Sequence, residues 1–491
     1  MNSFSVSAIE DLYRQIDKTK QEVLLDSVST LEESLNEKKY DEQDEQDYKI
    51  KSSYWKLVKN NGNNDNDNKK KGLPPKLECV SAVDNLVAVA SSEKTSNLRI
   101  YGVDTEIHRM THLSSISIPD IKSLEWLYDP TDDQSESGLR FLLTGHSDGI
   151  VNLIMVPLDS SSGVEHAQII KQFNHKKQLL NYTDLADSKA SIRSHIQSPA
   201  KIQQMQVTPR TWTGCNRNSL LSLYDEHLFL WDTSRSRRPL LCSRVGKTSS
   251  FDCNPSTDGV IALSGRFGVS LCDLRQTQKQ ASLLFIPSKY NKESVALSWC
   301  KSDPNYMCSA SIDSTIMVWD IRMLKPLANL KQNAPGINSV SWDRKDSIFS
   351  TSDDGKLVHW NLKDLNIDTM DRSNQPIRCT IHDGHNTDVT LSEIGTPIYA
   401  SDGPINDMTS CTTSESILTI DDEFLGLHSR LTEGRPRSSS SVTCVASQNS
   451  KNYVLTPVQT SKFSQTTWST NSSPTLFNHS LYNNNGLQQN V

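Results

Sequence analysis

The sequence predicts an all-β fold in which seven small sheets form the blades of a β-propeller. Two observations predict it. The first is a set of short apolar strands whose fourth positions, Trp231, Cys272, Trp319 and Trp360, are spaced 41, 47 and 41 residues apart. The second is a polar turn marker that recurs six residues before these positions. A spacing of about 40–45 residues is typical of a four-stranded propeller blade.

The turn marker is an aspartate in most units. It is found at Asp225, Asp313 and Asp354, at the same offset in weaker units at Asp148 and Asp422, and is replaced by Arg266 in the fourth unit. Aspartate suits a point where the chain reverses direction, because its side chain can hydrogen-bond to the turn backbone. The shared repeat position therefore favours a structural role for these residues over general-acid catalysis.

The strands of the individual units follow in order. In the fifth unit we predict strands at residues 295–299, 306–311, 315–319 and 326–331, and in the sixth at 337–342, 347–352 and 357–360. Weaker units at residues 77–104, 122–156 and 405–430 bring the total to seven. In the last unit the second strand is either 397–402 or 416–419, and the sequence leaves both open.

These units resemble WD40 repeats, whose third strand ends in Trp-Asp. The dipeptide and its degenerate form are found at Trp231-Asp232, Trp319-Asp320 and Trp360-Asn361. The resemblance covers residues 77–430 and implies a seven-bladed WD40-type β-propeller, in which these positions are structural. The Gly-His dipeptide of the family is suitably placed only at Gly384-His385, so we do not expect its Asp–His–Ser–Trp hydrogen-bond network in most blades.

The two ends of the chain differ from the repeats in composition. Residues 1–50 combine apolar residues at helical spacing with an acidic run, which predicts a short amphipathic helical segment. This helix either docks on its own protein or binds a partner as a coiled coil. Residues 431–491 are rich in Ser, Thr, Asn and Gln, which predicts a disordered tail.

The propeller itself is assigned to residues 51–430. The alternation in residues 52–58 predicts a strand that closes the ring by completing the seventh blade, because an unpaired sheet edge invites aggregation. An Asn- and Lys-rich low-complexity loop follows at residues 60–72. Polar stretches without periodicity predict inserts near residues 129–137, 175–200 and 363–404.

Composition and motifs exclude several classes of function. The net charge of −7, from 51 basic and 58 acidic residues, gives no support for nucleic-acid binding. We find neither a run of about 18 apolar residues nor a signal peptide, so we expect a soluble intracellular protein without membrane insertion. The ten cysteines never form the Cys-x-x-Cys pairs of zinc sites. Without nucleophile or phosphate-binding motifs, the sequence predicts no enzyme, cofactor, metal or small-molecule substrate.

Two groups of residues are candidate partner contacts. Three arginines follow the third strand of the third unit, at Arg235, Arg237 and Arg238. Their guanidinium groups could bind a carboxylate or a phosphate of a partner, with an ordinary solvated loop as the alternative. Trp212 and Trp468 are the tryptophans placed to touch a partner, with a core position as the alternative for Trp212.

A basic site in the tail predicts phosphorylation. Arg435 and Arg437 precede Ser438, Ser439 and Ser440. Arginines before serines suit basophilic kinases, and an added phosphate would change the local charge strongly. We therefore treat these serines as candidate phosphorylation sites.

The overall organisation resembles the daughter-specific-expression WD-repeat proteins of budding yeasts. The shared features are an acidic helical N-terminal segment, a degenerate propeller with polar inserts, and a Ser- and Asn-rich tail. The resemblance implies a non-enzymatic scaffold for protein–protein interactions in cell-wall metabolism and mother–daughter cell separation, in the cytoplasm and concentrated at the bud neck. The alternative is a substrate or cargo receptor of the ubiquitin-ligase adaptor type, whose propeller reads a peptide. Both functions imply other proteins as partners.

Overall fold

The computed structural model describes residues that all belong to one compact unit, Lys49–Trp468. They are residues 49–58, 74–127, 139–157, 167–183, 201–209, 211–212, 219–234, 238–276, 283–286, 292–322, 325–331, 336–344, 347–362, 390–391, 395–401, 403–411, 416–431 and 454–455. Nearly all of the predicted N-terminal segment and tail, the loop at 60–72 and the insert at 129–137 lie outside them.

The described residues form seven sheets, numbered here in chain order. The chain starts with β1 (Lys49–Lys56). Sheet 1 contains β2 (Leu77–Val83), β3 (Leu86–Ser91), β4 (Leu98–Asp104) and β5 (Arg109–Ile116). Sheet 2 contains β6 (Ile121–Leu127), β7 (Leu139–His146), β8 (Ile150–Pro157) and β9 (Gln168–Asn174). After the helix α1 (His175–Thr183), sheet 3 contains β10 (Ile202–Val207), β11 (Ser219–Tyr224), β12 (His227–Asp232) and β13 (Leu241–Arg244).

The remaining sheets repeat this four-stranded order. Sheet 4 contains β14 (Thr248–Cys253), β15 (Val260–Gly265), β16 (Gly268–Asp273) and β17 (Leu283–Phe285), with a 3-10 turn at Leu274–Gln276. Sheet 5 contains β18 (Ser294–Trp299), β19 (Tyr306–Ser311), β20 (Thr315–Asp320) and β21 (Lys325–Lys331), with β25 (Thr390–Leu391) added in parallel. Sheet 6 contains β22 (Ile337–Arg344), β23 (Ser347–Ser352), β24 (Lys356–Asn361) and β26 (Gly395–Ala400). Sheet 7 contains β27 (Asp407–Ser410), β28 (Ser416–Ile420) and β29 (Phe424–Leu431), and β30 (Val454–Leu455) is added to sheet 1.

The seven sheets close into a ring through their inner strands. Neighbouring inner strands contact each other around the whole circle, including β27 of sheet 7 and β2 of sheet 1. The fourth strand of sheet 7 is β1, which pairs antiparallel with β29, so a strand from the start of the chain closes the ring. Arg99 of β4 donates from Nη1 to the Leu57 carbonyl oxygen at 2.7 Å, which ties this segment to sheet 1. The predicted seven-bladed β-propeller is confirmed.

The second and third strands of the sheets are largely buried on both sides. Every residue of β11, β15, β19 and β20 is buried. Each sheet packs against a neighbour on either face, so both alternating sets of side chains are shielded from water. The outer strands are more exposed, and β9 begins with three exposed residues, Gln168, Ile169 and Ile170.

The hydrophobic core is divided among the interfaces between sheets. Among the described residues, each of seven clusters of buried apolar side chains joins two neighbouring sheets. Six tryptophans are fully buried in these clusters: Trp55, Trp231, Trp299, Trp319, Trp342 and Trp360. An aromatic ring of this size fills much of the space between two sheets. The tryptophan spacing in the sequence is therefore a packing requirement.

Two predicted inserts contain regular structure. Residues 175–200 begin with α1, and the His175 side chain is fully buried, so these first residues belong to the folded propeller. Residues 363–404 contain β25 and β26, and β26 is the outer strand of sheet 6, paired with β24. The second strand of the last blade is consequently β28, not residues 397–402.

Candidate functional site

The aspartates of the repeat lie in turns. Asp148, Asp313 and Asp354 each occupy the middle of a three-residue turn between the second and third strands. Each carboxylate accepts a hydrogen bond from the residue two positions later, for example from the Ile150 N–H at 3.0 Å or the Thr315 hydroxyl at 2.5 Å. The last residue of each turn has a positive φ, as in three-residue hairpins with a left-handed final position. These carboxylates stabilise the turns.

Two turns deviate from this pattern. The two-residue turn of sheet 3 places Asp225 at a φ of 56°, a left-handed conformation in which aspartate is enriched. In sheet 7 the turn carboxylate is Asp421, which accepts from two backbone N–H groups at 2.8 and 2.6 Å. Asp422, the residue expected there, instead accepts from the Asn406 side-chain amide at 3.0 Å. The turn role is thus kept in sheet 7 but shifted by one residue.

Serines on the second strand hold the repeated tryptophans. Trp319 donates from Nε1 to the Ser309 hydroxyl, and Trp360 donates to the Ser350 hydroxyl, both at 2.9 Å. Buried polar groups are normally hydrogen-bonded, so these bonds fix the orientation of the indole rings. Both tryptophans are packing residues that no partner can reach, since each is about 1% exposed.

His175 completes a buried hydrogen-bond network in sheet 3. Its Nε2 lies 2.6 Å from the Ser222 hydroxyl and accepts from Trp231 Nε1 at 3.0 Å. Its Nδ1 lies 3.1 Å from the Gly149 carbonyl oxygen, which can only accept, so the ring proton is on Nδ1. Burial lowers the pKa of His175 to about 3, which keeps the ring neutral. This is the His–Ser–Trp part of the WD40 network, present in a blade where the Gly-His dipeptide is missing.

The aspartate that follows the third-strand tryptophan caps the next turn. Asp320 is fully buried and accepts from the Arg322 backbone N–H, Nε and Nη2 at 2.9, 2.8 and 2.5 Å. These bonds raise the pKa of Arg322 above its usual value, so the guanidinium stays charged. Asp232 accepts from the backbone N–H and the hydroxyl of Ser234 at 2.9 and 2.6 Å. Both carboxylates are engaged within the chain.

A set of side chains on the inner strands joins neighbouring sheets. Each accepts a hydrogen bond from a backbone N–H of the next inner strand. The pairs are Val207 to Glu125 at 3.3 Å, Cys253 to Gln206 at 3.1 Å, Trp299 to Asp252 at 2.8 Å, Trp342 to Ser298 at 3.1 Å and Val80 to Asp407 at 3.0 Å. We name the acceptors, Glu125, Gln206, Asp252, Ser298 and Asp407, the inner belt. The belt connects five of the seven interfaces between sheets among the described residues.

Burial raises the pKa of the three inner-belt carboxyl groups. The pKa rises to about 7 for Glu125 and to about 6 for Asp407, and it also rises for Asp252. A raised carboxyl pKa can indicate acid–base catalysis. Here each carboxylate is accounted for by its bond to the next sheet, so the inner belt is structural.

The described residues contain no group of three His, Cys, Asp or Glu side chains that could hold a metal ion. The seven cysteines among them are buried. No helix in the described ranges is long and apolar enough to cross a membrane. The exposed residues at the two ends of the ring are therefore the remaining candidates for a functional site.

The two ends of the ring carry different turns. We call the end with the turns between second and third strands the B–C face, and the opposite end the A–B face. Six of the seven B–C turns contain at least one acidic residue, whereas the B–C turn of sheet 4, Arg266 and Phe267, contains none. The acidic character of the B–C face is thus interrupted at one point.

Two large exposed apolar side chains lie on the B–C face, one at this interruption and one in the turn of the neighbouring sheet. Phe267 is 64% exposed in the B–C turn of sheet 4, and Ile312 is 55% exposed in the B–C turn of sheet 5. The Arg266 N–H donates to the Lys247 carbonyl oxygen at 3.2 Å, which places the exposed Lys247 beside the first turn. Lys292 forms an ion pair at 2.6 Å with the acidic residue of the second turn. We name Lys247, Arg266, Phe267, Lys292 and Ile312 the Phe267–Ile312 patch.

Of the partner contacts predicted from the sequence, Arg238 and Trp212 are described, and neither belongs to the Phe267–Ile312 patch. Arg238 is exposed in the connection between β12 and β13, on the A–B face, while Arg235 and Arg237 lie outside the described residues. Trp212 is 4% exposed and donates from Nε1 to a backbone carbonyl oxygen at 3.0 Å, so it is a core residue. Trp468 and the candidate phosphorylation sites also lie outside the described residues.

Sequence reasoning missed Phe267 and Ile312. A single apolar residue in a turn has no periodic signature, because its neighbours are the ends of apolar strands. The available signal is Arg266, which stands where most other units have an aspartate and marks the turn that departs from the acidic pattern.

Comparison with known proteins places the chain in a family. A family model of the DSE1 N-terminal domain matches residues 76–435. The chain belongs to the DSE1 family. The match includes β2 to β29 and leaves out β1 and β30. Among solved structures, a chain of the "Crystal Structure of Mitotic Checkpoint Complex" has a TM-score of 0.47 at 15% identity, covering 73% of this chain and 90% of that chain.

The DSE1 relatives come from several yeasts. Protein DSE1 of Scheffersomyces stipitis is 30% identical over 415 residues, covering 78% of this chain and 58% of the relative. Protein DSE1 of Debaryomyces hansenii is 29% identical over 413 residues, with the same coverage of both chains. Protein DSE1 of Saccharomyces cerevisiae is 26% identical over 352 residues, covering 65% of this chain and 56% of the relative. The chain thus spans a little over half the length of these relatives.

Proposed function

We propose that this DSE1-family protein is a non-enzymatic scaffold that binds other proteins through the B–C face of its propeller. The observation that carries the proposal is the Phe267–Ile312 patch, whose two large apolar side chains are 64% and 55% exposed. Exposed apolar residues rimmed by polar ones are characteristic of protein–protein interaction sites. Aromatic side chains at such sites are frequent anchors of binding energy.

The charges around the patch specify the kind of partner. Lys247 and Arg266 are exposed beside the apolar side chains, while six of the seven B–C turns contain acidic residues. A partner segment with a carboxylate beside an apolar residue complements Lys247 and Arg266 next to Phe267 and is repelled by the acidic turns. Charge complementarity of this kind selects the partner and its position more than it adds affinity.

We extend the proposal to the process in which the scaffold acts. The family membership and the budding-yeast relatives support a role in cell-wall metabolism and mother–daughter cell separation, with the protein in the cytoplasm and concentrated at the bud neck. Fluorescence microscopy of a tagged chain in dividing budding yeast tests this role. We expect signal at the division site, and a uniform signal without enrichment there would contradict the assignment.

The binding role is tested by affinity purification and mass spectrometry of three proteins, each with all 491 residues of the chain. They are the unmodified chain, the double variant Phe267→Ser/Ile312→Ser, and the control Ile107→Ser, whose side chain is 61% exposed on the A–B face. We expect one recurrent set of partners in the unmodified chain and the control, reduced at least about tenfold in the double variant. Identical recovery from all three proteins would contradict the proposal. Recurrent ubiquitin-ligase subunits would instead favour the receptor function.

A further inference from the structure

The outer edge of sheet 1 is covered by a strand from far along the chain. β30 pairs antiparallel with β5, with Val454 opposite Thr111 and Leu455 opposite Met110. It begins after 22 residues that follow the end of β29. Among the described residues, five of the seven sheets have no added strand. An uncovered sheet edge presents unpaired N–H and C=O groups, which are a template for another strand.

The contact made by Leu455 extends beyond the sheet edge. Leu455 packs against the cluster of buried residues between sheets 7 and 1, which includes Met110 at 0% exposure and Trp55 at 1%. The same cluster contains residues of the ring-closing segment, Leu57 and Val58. The edge of β5 therefore offers a row of backbone groups together with an apolar position for a side chain.

We infer that the outer edge of β5 is a strand-addition site for an extended apolar segment, and that the tail strand of Val454 and Leu455 is its built-in occupant. β5 has eight residues, and the two described residues of β30 lie opposite Thr111 and Met110. Strand addition derives affinity from backbone hydrogen bonds and specificity from alternate side chains. Residues 452–456 contain Tyr, Val, Leu and Thr, which favour strands, and Pro457 ends the segment because proline cannot donate to a ladder.

The covalent connection between β30 and the propeller gives the tail strand an advantage over a strand from a separate protein. β30 belongs to the same chain as β5, so its pairing is intramolecular and does not depend on the concentration of a separate partner. A partner strand of the same chemistry must displace this tethered strand before it can bind. The candidate phosphorylation sites Ser438, Ser439 and Ser440 lie between β29 and β30 in the sequence. This inference is independent of the Phe267–Ile312 patch.

A labelled peptide tests the site on the full chain. The probe is a fluorescein-labelled peptide with the sequence of residues 448–458, measured by anisotropy. We expect the variant Val454→Asp/Leu455→Asp to bind it at least about tenfold more tightly than the unmodified chain, because its own tail no longer occupies the edge. The matched control Val442→Asp/Val445→Asp adds the same charge to the tail outside β30 and should behave as the unmodified chain. Equal binding to all three proteins, or no binding to the first variant, would overturn the inference.

Hydrogen exchange of the unmodified chain gives a second reading that does not depend on how the variant folds. In an antiparallel pair only alternate N–H groups face the partner strand, so the one amide of Val454 and Leu455 that faces β5 should exchange at least about tenfold more slowly than those of residues 442–446. Equally fast exchange in both segments would overturn the inference. A dimer that dissociates in the Val454→Asp/Leu455→Asp variant during sedimentation would also overturn it, since the occupant would then be a second copy.

Discussion

The inner belt and the Phe267–Ile312 patch are opposite exceptions to the usual distribution of polar and apolar residues. In the belt, carboxylates such as Asp252 are only partly exposed to water, and each has a backbone N–H partner in the next sheet. In the patch, Phe267 and Ile312 remain in water although they are large and apolar. Buried polar groups and exposed apolar patches are the two deviations that carry information.

The difference shows which deviation belongs to stability and which to binding. The belt carboxylates find their compensating bonds within the chain, so their raised pKa values describe how the ring is held together. On our proposal, a partner protein covers the exposed side chains of the patch. Changes in the belt should therefore alter the free energy of unfolding, and changes in the patch should alter binding alone.

The largest effect on stability is expected where the belt loses an acceptor. Asp252→Ala leaves the Trp299 N–H and the Gln206 side-chain amide without their carboxylate, which should lower the free energy of unfolding by about 3 kcal/mol. Asp252→Asn keeps one of the two acceptor oxygens but turns an amide NH2 toward the other donor, so it should lose a smaller amount, about 1–2 kcal/mol. Urea unfolding followed by tryptophan fluorescence measures both variants. Equal losses would show that the hydrogen bonds do not hold the sheets together.

A smaller effect that depends on pH is expected at Asp407. Its pKa is raised to about 6 in the folded protein, so the folded state binds this proton more tightly than the unfolded chain, where aspartate titrates near about 3.9. The stabilisation from protonation is present below about pH 4 and is lost as the pH rises through 6.

The variant Asp407→Asn removes this titration and keeps an acceptor for the Val80 N–H. It should therefore be more stable than the unmodified chain by about 1–2 kcal/mol at pH 8, with no gain near pH 4. Urea unfolding at both values measures the difference. A difference in stability that stays constant across this range would contradict the account.

An effect of about 1 kcal/mol should separate two buried tryptophans. Trp319 and Trp342 are both buried, with 1% and 0% of their surface exposed. Trp319 Nε1 donates a hydrogen bond to the Ser309 hydroxyl. Trp342 Nε1 has no hydrogen-bond partner in the part of the chain that is described. Trp319→Phe should cost about 1 kcal/mol more than Trp342→Phe, because only the first leaves a buried hydroxyl without its donor. Thermal or urea unfolding of the two variants checks the order, and the reverse order would count against it.

The smallest effect on stability is expected at the patch. Phe267→Ser and Ile312→Ser should each change the free energy of unfolding by less than about 0.5 kcal/mol, because both side chains are already largely in water. The same urea titration measures this change. A loss above about 2 kcal/mol would mean that these residues pack within the ring and do not form a binding surface.

The local pattern of the sequence was sufficient for strands that follow one another closely. In sheets 5 and 6 most predicted strands agree with the structure within one or two residues, because apolar runs are bounded by turn residues such as Asp313 and Asp354. The outer strand of sheet 6 could not be found in this way. β26 pairs with β24 across an intervening 33 residues, and no local periodicity encodes such a pairing.

The roles of single residues, in the core and on the surface, could be assigned only from the three-dimensional structure. His175 acts through Ser222 and Trp231, which are 47 and 56 residues away, so its neighbours in sequence give no indication of the network. Phe267 and Ile312 belong to different repeat units. They lie on the same face of the ring, in turns of two neighbouring sheets, because sheets 4 and 5 contact each other. Arg266 was the one visible sign that the fourth turn differs from the others.

The most direct test of the central claim is site-specific photo-crosslinking in dividing yeast. A photo-reactive phenylalanine analogue is placed at position 267 in one strain and at position 107, on the A–B face, in another. The proposal predicts discrete crosslinked partner bands from position 267 and none of these bands from position 107. Bands that are the same from both positions, or that arise from position 107 alone, would contradict the claim that the B–C face binds the partners of this protein.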